Sequence, residues 1–321
     1  MSTLRSYMPA RGVLRPRLSP IDVGVLVAVL VLLYAVLQVG HGATATFNPA
    51  GLQHVSTNAA RLPYDALRSV ARMFIALCFS VAFTLAYGYA AARSRRAEKI
   101  LVPILDILQS VPVLGFLTIT VTAFIALFPG SALGLECASI FAIFTAQAWN
   151  MTFSFYASVK NMPRELDELS RSLRLTRWQR FWKLEVPSGA IGLVWNGMMS
   201  FGGSWFFLVA SEAISLHNHT YSLPGVGSFV GAAIARGELG TVGLAIATMI
   251  VMVVAVNVLF WRPLVAFCER YRYESTEAGE APRSFVLDVL ARSSWARLVG
   301  RSRSRVAEWL ARAMRILGRD D

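Results

Sequence analysis

The sequence predicts an all-α fold, a polytopic membrane helical bundle with six transmembrane helices. Only 16% of the 321 residues are charged and 55% are hydrophobic, with a mean hydropathy of +0.52. Soluble domains carry about a quarter of their residues as charged side chains. The charged residues here are also segregated between long apolar runs, several of which reach the roughly 20 residues that a helix needs to cross a bilayer. Both observations indicate a membrane protein.

Six apolar runs define the predicted spans. They are Ile21–Val39, Ser69–Ala92, Ile100–Phe128, Leu135–Val159, Gly189–Ala210 and Gly240–Phe267. The first follows an Arg-rich segment and is too long for the apolar part of a cleavable signal peptide, so we expect a signal anchor. The third contains Pro103 and Pro112, and Pro129-Gly130 forms a turn before the fourth. Polar loops at about 160–187 and 211–239 flank the fifth.

The basic residues predict the orientation of these spans. Most lie in three segments: the N-terminus, residues 93–99 and the loop 160–187. The opposite segments hold only Arg61 and Arg236, apart from Arg68 and Arg72 at the mouth of the second span. Cytoplasmic loops of membrane proteins are enriched in Lys and Arg, so both termini are predicted to be cytoplasmic. The net charge of +12 is explained by this pattern and gives no evidence for nucleic-acid binding.

The loop 160–187 is long enough to have a function of its own. Leu166, Leu169 and Leu173 recur at helical spacing, and Pro163 precedes carboxylates that suit the first turns of a helix. A basic, aromatic segment follows and ends at Pro187. Two short helices are therefore predicted, one with an apolar edge that suits docking into a partner's groove.

This loop resembles a motif of the integral permease subunits of binding-protein-dependent ABC importers. The motif reads Glu-Ala-Ala, three residues, Gly, nine residues, Ile, one residue and Leu-Pro. With Glu168 first, Leu169-Ser170 fall on the Ala pair, Leu184 on the Ile and Val186-Pro187 on the Leu-Pro, without a gap. Arg174 occupies the Gly position. It implies a wider turn, or a subgroup that builds this turn differently.

Other residues narrow the resemblance to the nitrate, sulfonate and taurine importer permeases. They are Ser69 and Arg72, the run Arg93-Ser94-Arg95-Arg96, Pro112, and Ala210-Ser211-Glu212. The resemblance covers roughly Asp65–Arg270, about two thirds of the chain. Residues 222–240 and the basic tail resemble a subgroup in which two such units are fused. This sequence holds one such unit. It could therefore form a homodimer, pair with a different permease chain, or be one half of a fused protein.

The resemblance implies a type I ABC importer permease fold and four parts of the chain. These are a cytoplasmic basic N-terminus (1–20), a first transmembrane helix with an external loop (21–66), the permease domain with coupling loop 160–187 (67–270), and a cytoplasmic basic tail (271–321). The tail has helical amphipathic spacing, which suits either a helix on an anionic inner leaflet or a solvated linker. The implied location is the bacterial inner membrane.

The resemblance also implies the function and partners. Two permease units would form the pathway for a small anion such as nitrate, a sulfonate or taurine. A dimer of cytoplasmic ATP-binding subunits would dock on the coupling loops, and an external solute-binding protein would deliver the solute. The chain has no GxxxxGK[ST] loop, so ATP would bind the partner ATPase and the chain is not expected to be an enzyme. The implied ATPase-coupling residues are Glu165, Glu168, Leu169, Ser170, Arg174, Phe181, Leu184 and Pro187.

Two charged residues are candidates for lining the pathway. Arg72 lies close to the hydrocarbon region, where a charge is costly unless it faces a polar pathway or a partner. Snorkelling to the outer interface is the simpler interpretation. Glu212 ends the fifth span, where pairing with Arg72 is an open question. The sequence contains no recognisable catalytic triad or paired-carboxylate site, and its three widely spaced cysteines match no metal pattern. No catalytic, cofactor or metal site is therefore expected.

Two other classes of function remain as alternatives. An ion-coupled secondary transporter often has ionisable residues deep in its spans, and here the deep spans hold almost none. A membrane scaffold or membrane enzyme would leave the long loop 160–187 unexplained.

Overall fold

A computed structural model describes residues 31, 33–42, 55–216 and 219–268. These residues belong to one compact unit of the chain, residues 31–286. Residues 33–42 are helical and include the end of the predicted first span. The predictions for the basic N-terminus, the rest of the first span and the C-terminal tail lie outside the described residues.

The first half of the described chain is helical. A single 3-10 turn, Ala59–Arg61, leads into α1 (Leu62–Arg93), which begins seven residues before the predicted second span. Ser94 then caps α2 (Arg95–Ser110), and α3 follows (Val113–Leu127). The predicted third span is therefore wrong as one helix. Pro112 lies outside both helices with extended backbone, and a residue before proline avoids helical conformation, so the chain breaks at Val111.

The second half of the described chain begins with two further helices. A helix is confirmed over the predicted fourth span, α4 (Leu133–Lys160), and α5 (Arg164–Ser172) lies in the loop 160–187. The predicted second short helix of that loop is wrong as a separate element. Its residues are instead the first turns of α6 (Arg177–Glu212), which continues through a π-helical turn at Phe181–Glu185 into the fifth span.

The predicted loop 211–239 is largely ordered structure. Strands β1 (Ala213–Leu216) and β2 (His219–Ser222) pair antiparallel, with Ala213 opposite Ser222. Helix α7 (Val226–Ala235) follows, and α8 (Leu239–Cys268) forms the sixth predicted span with a π-helical turn at its Asn257–Trp261 segment. The helix α7 was missed because its ten residues contain Gly, Ser and Ala, a composition also typical of loops.

The core lies where α1, α4, α6 and α8 meet. Met73 of α1, Ile143 of α4, Phe201 of α6 and Trp261 of α8 belong to one buried apolar cluster. Helices α4 and α6 approach closely at Gly189, where an added Cβ would overlap the Phe155 ring. Small residues at a helix interface allow this approach of backbones.

Three helices of the described chain are long and apolar enough to span a membrane: Ala59–Arg93, Arg177–Glu212 and Leu239–Cys268. The protein is thus a helical membrane protein, as predicted. The count of six spans stays a prediction.

Candidate functional site

The loop 160–187 turns sharply at the end of α5. The amide of Arg174 donates to the Arg171 carbonyl at 3.0 Å, and the amide of Leu175 donates to the Ser170 carbonyl at 3.1 Å. These two bonds form a Schellman turn, in which the residue after the helix end adopts a left-handed conformation. Arg174 does so, with a φ of 47°. The expectation of a wider turn is therefore wrong, because Arg174 adopts the conformation for which glycine is usually needed.

The next helix begins three residues later with a capping box. The Thr176 hydroxyl accepts from the Gln179 amide at 3.3 Å, and the Gln179 side chain accepts from the Thr176 amide at 3.1 Å. This reciprocal pair satisfies two backbone donors that a helix start leaves open. The chain therefore passes from α5 into α6 through one short, fully bonded turn.

Arg180 ties α5 to the base of α6. Its guanidinium forms ion pairs with Asp167 of α5 and with Glu185, and donates to the Ser170 hydroxyl at 3.2 Å. Glu185 is fully buried and also pairs with Arg93 of α1. Partial burial acts to raise the pKa of the Asp167 carboxyl, but the hydrogen bond and charge of Arg180 outweigh it and hold the pKa below its ordinary value.

Phe181 anchors this loop in the protein interior. Its ring is buried, 4.9 Å from the Tyr89 ring and 6.4 Å from the Phe155 ring, measured between centroids. Ser170 is buried too, and Leu184 and Pro187 are half-buried. These four predicted coupling residues therefore lie in or against the protein, where they support the exposed part of the loop.

The exposed part of the loop includes large apolar side chains among its charged residues. Four large side chains keep 46–61% of their surface exposed, and we call them the loop surface: Leu169, Leu173, Trp178 and Trp182. The other predicted coupling residues, Glu165, Glu168 and Arg174, are exposed beside them. Trp178 and Trp182 contact each other, with ring centroids 5.6 Å apart. Exposed apolar side chains among charged residues are typical of a protein–protein contact.

A second charged site lies at the opposite end of α1. Arg72 has no exposed surface, and its guanidinium binds the Glu136 carboxylate through Nε at 2.6 Å and Nη2 at 2.8 Å. Nη1 donates to Glu212 at 2.7 Å, and Arg68 donates to Glu136 at 2.6 Å. Two arginines therefore face two carboxylates, and we call these four residues the arginine–glutamate cluster. Such buried pairs need this degree of hydrogen bonding to offset desolvation.

The Glu212 carboxylate is further enclosed by the chain before α7. It accepts from the Ser69 hydroxyl at 2.6 Å and from the Gly227 amide at 2.8 Å. Arg72 also donates to the Pro224 carbonyl at 2.9 Å. A Cβ added to Gly225 would overlap the Glu212 carboxylate, so only glycine allows this approach. The cluster thereby links α1, α4, α6 and α7.

The structure places Arg72 and Glu212 together, and the snorkelling interpretation of Arg72 is wrong. Sequence reasoning missed Glu136, Arg180 and Glu185, which complete the two charged sites. Glu136 lies just after a polar turn, and Arg180 and Glu185 lie five residues apart in a charged loop. The sequence around these three residues contains no pattern that distinguishes a buried ion pair from a solvated charge.

The fold and these sites define a class of protein. It is a polytopic helical membrane protein that has an exposed apolar loop surface at one end of its helices and buried ion pairs at the other end. A family model makes the class specific. The model of the binding-protein-dependent transport system inner membrane component matches residues 80–265, more than half of the chain. The protein therefore belongs to this family.

Individual relatives are similar over parts of their length. The nitrate import permease protein NrtB of Leptolyngbya laminosa is 30% identical over 145 residues, which are 45% of this chain and 47% of the relative. The taurine transport system permease protein TauC of Escherichia coli is 30% identical over 148 residues, which are 46% of this chain and 50% of the relative. The bicarbonate transport system permease protein CmpB of Synechococcus elongatus is 22% identical over 209 residues, which are 65% of this chain and 68% of the relative. The match to the first of these spans about half of its length.

Proposed function

We propose that this protein is the permease subunit that forms the translocation pathway of an ATP-driven importer for a small anion. The family membership supports import dependent on a binding protein. Relatives named for nitrate, bicarbonate and taurine support an oxyanion or a sulfonate as solute. An ion-coupled secondary transporter has no such support. The observation that carries the proposal is the loop surface, four exposed apolar side chains on a turn fixed by hydrogen bonds and ion pairs.

The proposed topology follows from the basic residues. The permease domain 67–270 spans the bacterial inner membrane, with six spans in the whole chain and both termini in the cytoplasm. The loop 160–187 and residues 93–99 then face the cytoplasm. The arginine–glutamate cluster lies at the outer end of α1, on the side from which a solute-binding protein delivers its cargo.

The proposed coupling runs from the loop surface to α6. A dimer of cytoplasmic ATP-binding subunits binds ATP and docks on the loop surface, as an apolar helix edge docks in a groove. Arg180 joins Asp167 of α5 to Glu185 of α6, so a movement of α5 is transmitted to a helix that crosses the membrane. A second permease unit, either a second copy or a paired half, completes the pathway.

We propose that Arg72 and Glu212 fasten the outer ends of the helices. Lining of the pathway by these two residues stays a prediction, and their burial favours the fastening role. Neither side chain has exposed surface, and four N–H groups of Arg72 already donate to protein acceptors. An open anion site would need donors that face the solute.

The test is ATP hydrolysis by the complex of this chain, its ATPase and its solute-binding protein in liposomes. Leu173→Ser and Trp178→Ser remove exposed apolar groups of the loop surface without disturbing the core. We expect about a tenfold loss of the hydrolysis stimulated by loaded binding protein, in line with typical interface anchors. Leu239→Ser is the matched control, because Leu239 is 84% exposed at the start of α8.

Unchanged stimulation in the Leu173→Ser/Trp178→Ser double variant would overturn the coupling proposal. Equal losses in Leu239→Ser would also do so, because they would indicate a general loss of stability.

A further inference from the structure

A polar cleft lies between α2, α4 and α6, away from both charged sites. Its volume is about 260 Å³. The lining residues are Gln109, Thr145, Ala146, Trp149, Asn150 and Phe207. None of these six is charged, four of them (Gln109, Thr145, Trp149 and Asn150) carry neutral hydrogen-bonding groups, and the volume suits a small solute.

In the topology proposed above, the cleft lies at the depth of the membrane centre. Thr145 and Asn150 are near the middle of α4, which runs from Leu133 to Lys160. With a rise of 1.5 Å per residue, this level is about 20 Å from either end of the helix. An exposed amide such as that of Asn150 is costly at this depth in contact with lipid.

The broken helix beside the cleft gives a second, independent indication. The chain leaves helical geometry at Val111 and Pro112, and both residues are exposed. Irregular backbone at membrane depth is tolerated where it lines a water-filled cavity or is covered by protein. The end of α2 is polar as well: Asp106 and Gln109 are exposed, and Gln109 Nε2 donates to the Asp106 carboxylate at 2.8 Å.

We propose that this cleft is the surface over which the solute passes, and that the amides of Gln109 and Asn150 bind the oxygen atoms of a small oxyanion or sulfonate. The proposal rests on the import function proposed above. Each amide carries two N–H groups; one of Gln109 is bonded to Asp106, and one of Asn150 is bonded to Ser200 at 3.4 Å. The second N–H of each amide is the proposed donor.

None of the six lining residues carries a positive charge, and this suits the passage of an anion through the cleft. Neutral donors replace part of the hydration of an anion but hold it weakly, and a translocation site must also release its solute. The carboxylate of Asp106 further disfavours tight retention of an anion, because like charges repel. Tight and selective binding is then left to the separate solute-binding protein.

The first test measures water access with a membrane-impermeant, anionic methanethiosulfonate. Cys78, Cys137 and Cys268 are replaced by serine, and Gln109→Cys, Asn150→Cys and Ile250→Cys are made in separate proteins. Ile250 of α8 is 59% exposed on an apolar helix and serves as the lipid-facing control. We expect labelling at 109 and 150 in the assembled complex, and none at 250.

Labelling of positions 109 and 150 by a lipophilic maleimide alone would overturn the proposal, because the cleft would then face lipid. The second test measures uptake of nitrate, bicarbonate and taurine in separate liposome assays. Gln109→Leu and Asn150→Leu are expected to lower the uptake rate about tenfold each, the loss typical of one hydrogen bond to a charged group. Asn196→Leu is the matched control, because the Asn196 amide donates to the Gly192 carbonyl within α6.

The outcomes separate the two proposals. Wild-type uptake of one solute, with unchanged rates in both leucine variants, would overturn the role of the amides. The absence of uptake of all three solutes by the wild-type complex would instead contradict the proposed function, while the labelling would still decide whether the cleft holds water. The solute whose uptake falls in the leucine variants identifies the transported solute as an oxyanion (nitrate or bicarbonate) or a sulfonate (taurine).

Discussion

Arg174 occupies a backbone conformation that costs a residue with a side chain about 1–2 kcal/mol. It lies at the residue after α5, with a φ of 47°, and its side chain is exposed. Glycine adopts this conformation without strain but loses more freedom on folding, about 0.5–1 kcal/mol. The net gain expected for Arg174→Gly is about 0.5–1 kcal/mol.

Thermal unfolding in detergent, followed as loss of the monodisperse protein, measures this gain. Arg174→Gly should unfold at a higher temperature than the wild type, and Arg174→Val at a lower one, since β-branched residues fit this conformation worst. A lower midpoint for the glycine variant would show that the Arg174 side chain stabilises the turn by contacts of its own.

A substitution of Glu212 tests whether this residue fastens the outer ends of the helices or lines the translocation pathway. Glu212→Gln removes one carboxylate from the buried cluster and leaves Arg72 with a single charged partner. Breaking a buried pair typically costs about 3–5 kcal/mol. We therefore expect a strong loss of thermal stability. A variant with wild-type stability but altered uptake would favour the pathway role.

At the scale of elements, Glu98 joins the start of α2 to the end of α4. Its carboxylate accepts from the Tyr156 hydroxyl at 2.6 Å and pairs with Lys160 at 2.5 Å. The hydrogen bonds from Lys160 and Tyr156 lower the pKa of Glu98 below its ordinary value. A depressed pKa stabilises the fold above the unfolded-state pKa, and this contribution is lost as pH falls through the folded-state pKa.

The expected result is a thermal midpoint that falls on acidification from pH 6 to below the ordinary range of a glutamate pKa. Glu98→Gln cannot lose a proton-linked contact, so its midpoint should fall less over the same range. Parallel pH curves for the two proteins would show that Glu98 contributes nothing to the pH dependence.

Apolar length predicted the bounds of helix α4 well. The fourth span, Leu135–Val159, lies within α4 to within two residues at its start and one at its end. The break at Pro112 follows from the local preference of the residue before proline, which a count of apolar residues does not include, and α7 was missed because of its Gly-, Ser- and Ala-rich composition. Contacts between residues distant in the chain are the part that a one-dimensional pattern does not contain. Gly225, for example, is required only by the Glu212 carboxylate that packs against it.

The coupling role of the loop residues stays a prediction, and the structure shows only where their side chains lie. Of the residues in the register of the loop motif, Glu168 and Leu169 are exposed, and Pro187 at its end is half-buried. Which side chains of the loop are exposed was not predictable, because Phe181 and Trp182 are adjacent aromatic residues with opposite environments. Their difference comes from the packing of Phe181 against Tyr89.

At the scale of the molecule, charge is concentrated at the two ends of the helices. Arg93, Arg180 and Glu185 fasten one end, and the arginine–glutamate cluster fastens the other. The apolar core and the neutral cleft lie between them. Such an arrangement suits a bundle whose ends hold their shape while a partner drives movement from one side. We propose that a small solute passes between these ends over a cleft whose six lining residues are uncharged.

The most direct test is uptake of labelled nitrate, bicarbonate or taurine into liposomes that contain this chain, its partner ATPase and loaded binding protein. We predict uptake of at least one of these solutes that requires ATP and binding protein together, and that falls about tenfold with Leu173→Ser/Trp178→Ser. Uptake that follows an ion gradient without ATP, or that is unaffected by both substitutions, would contradict the proposed function.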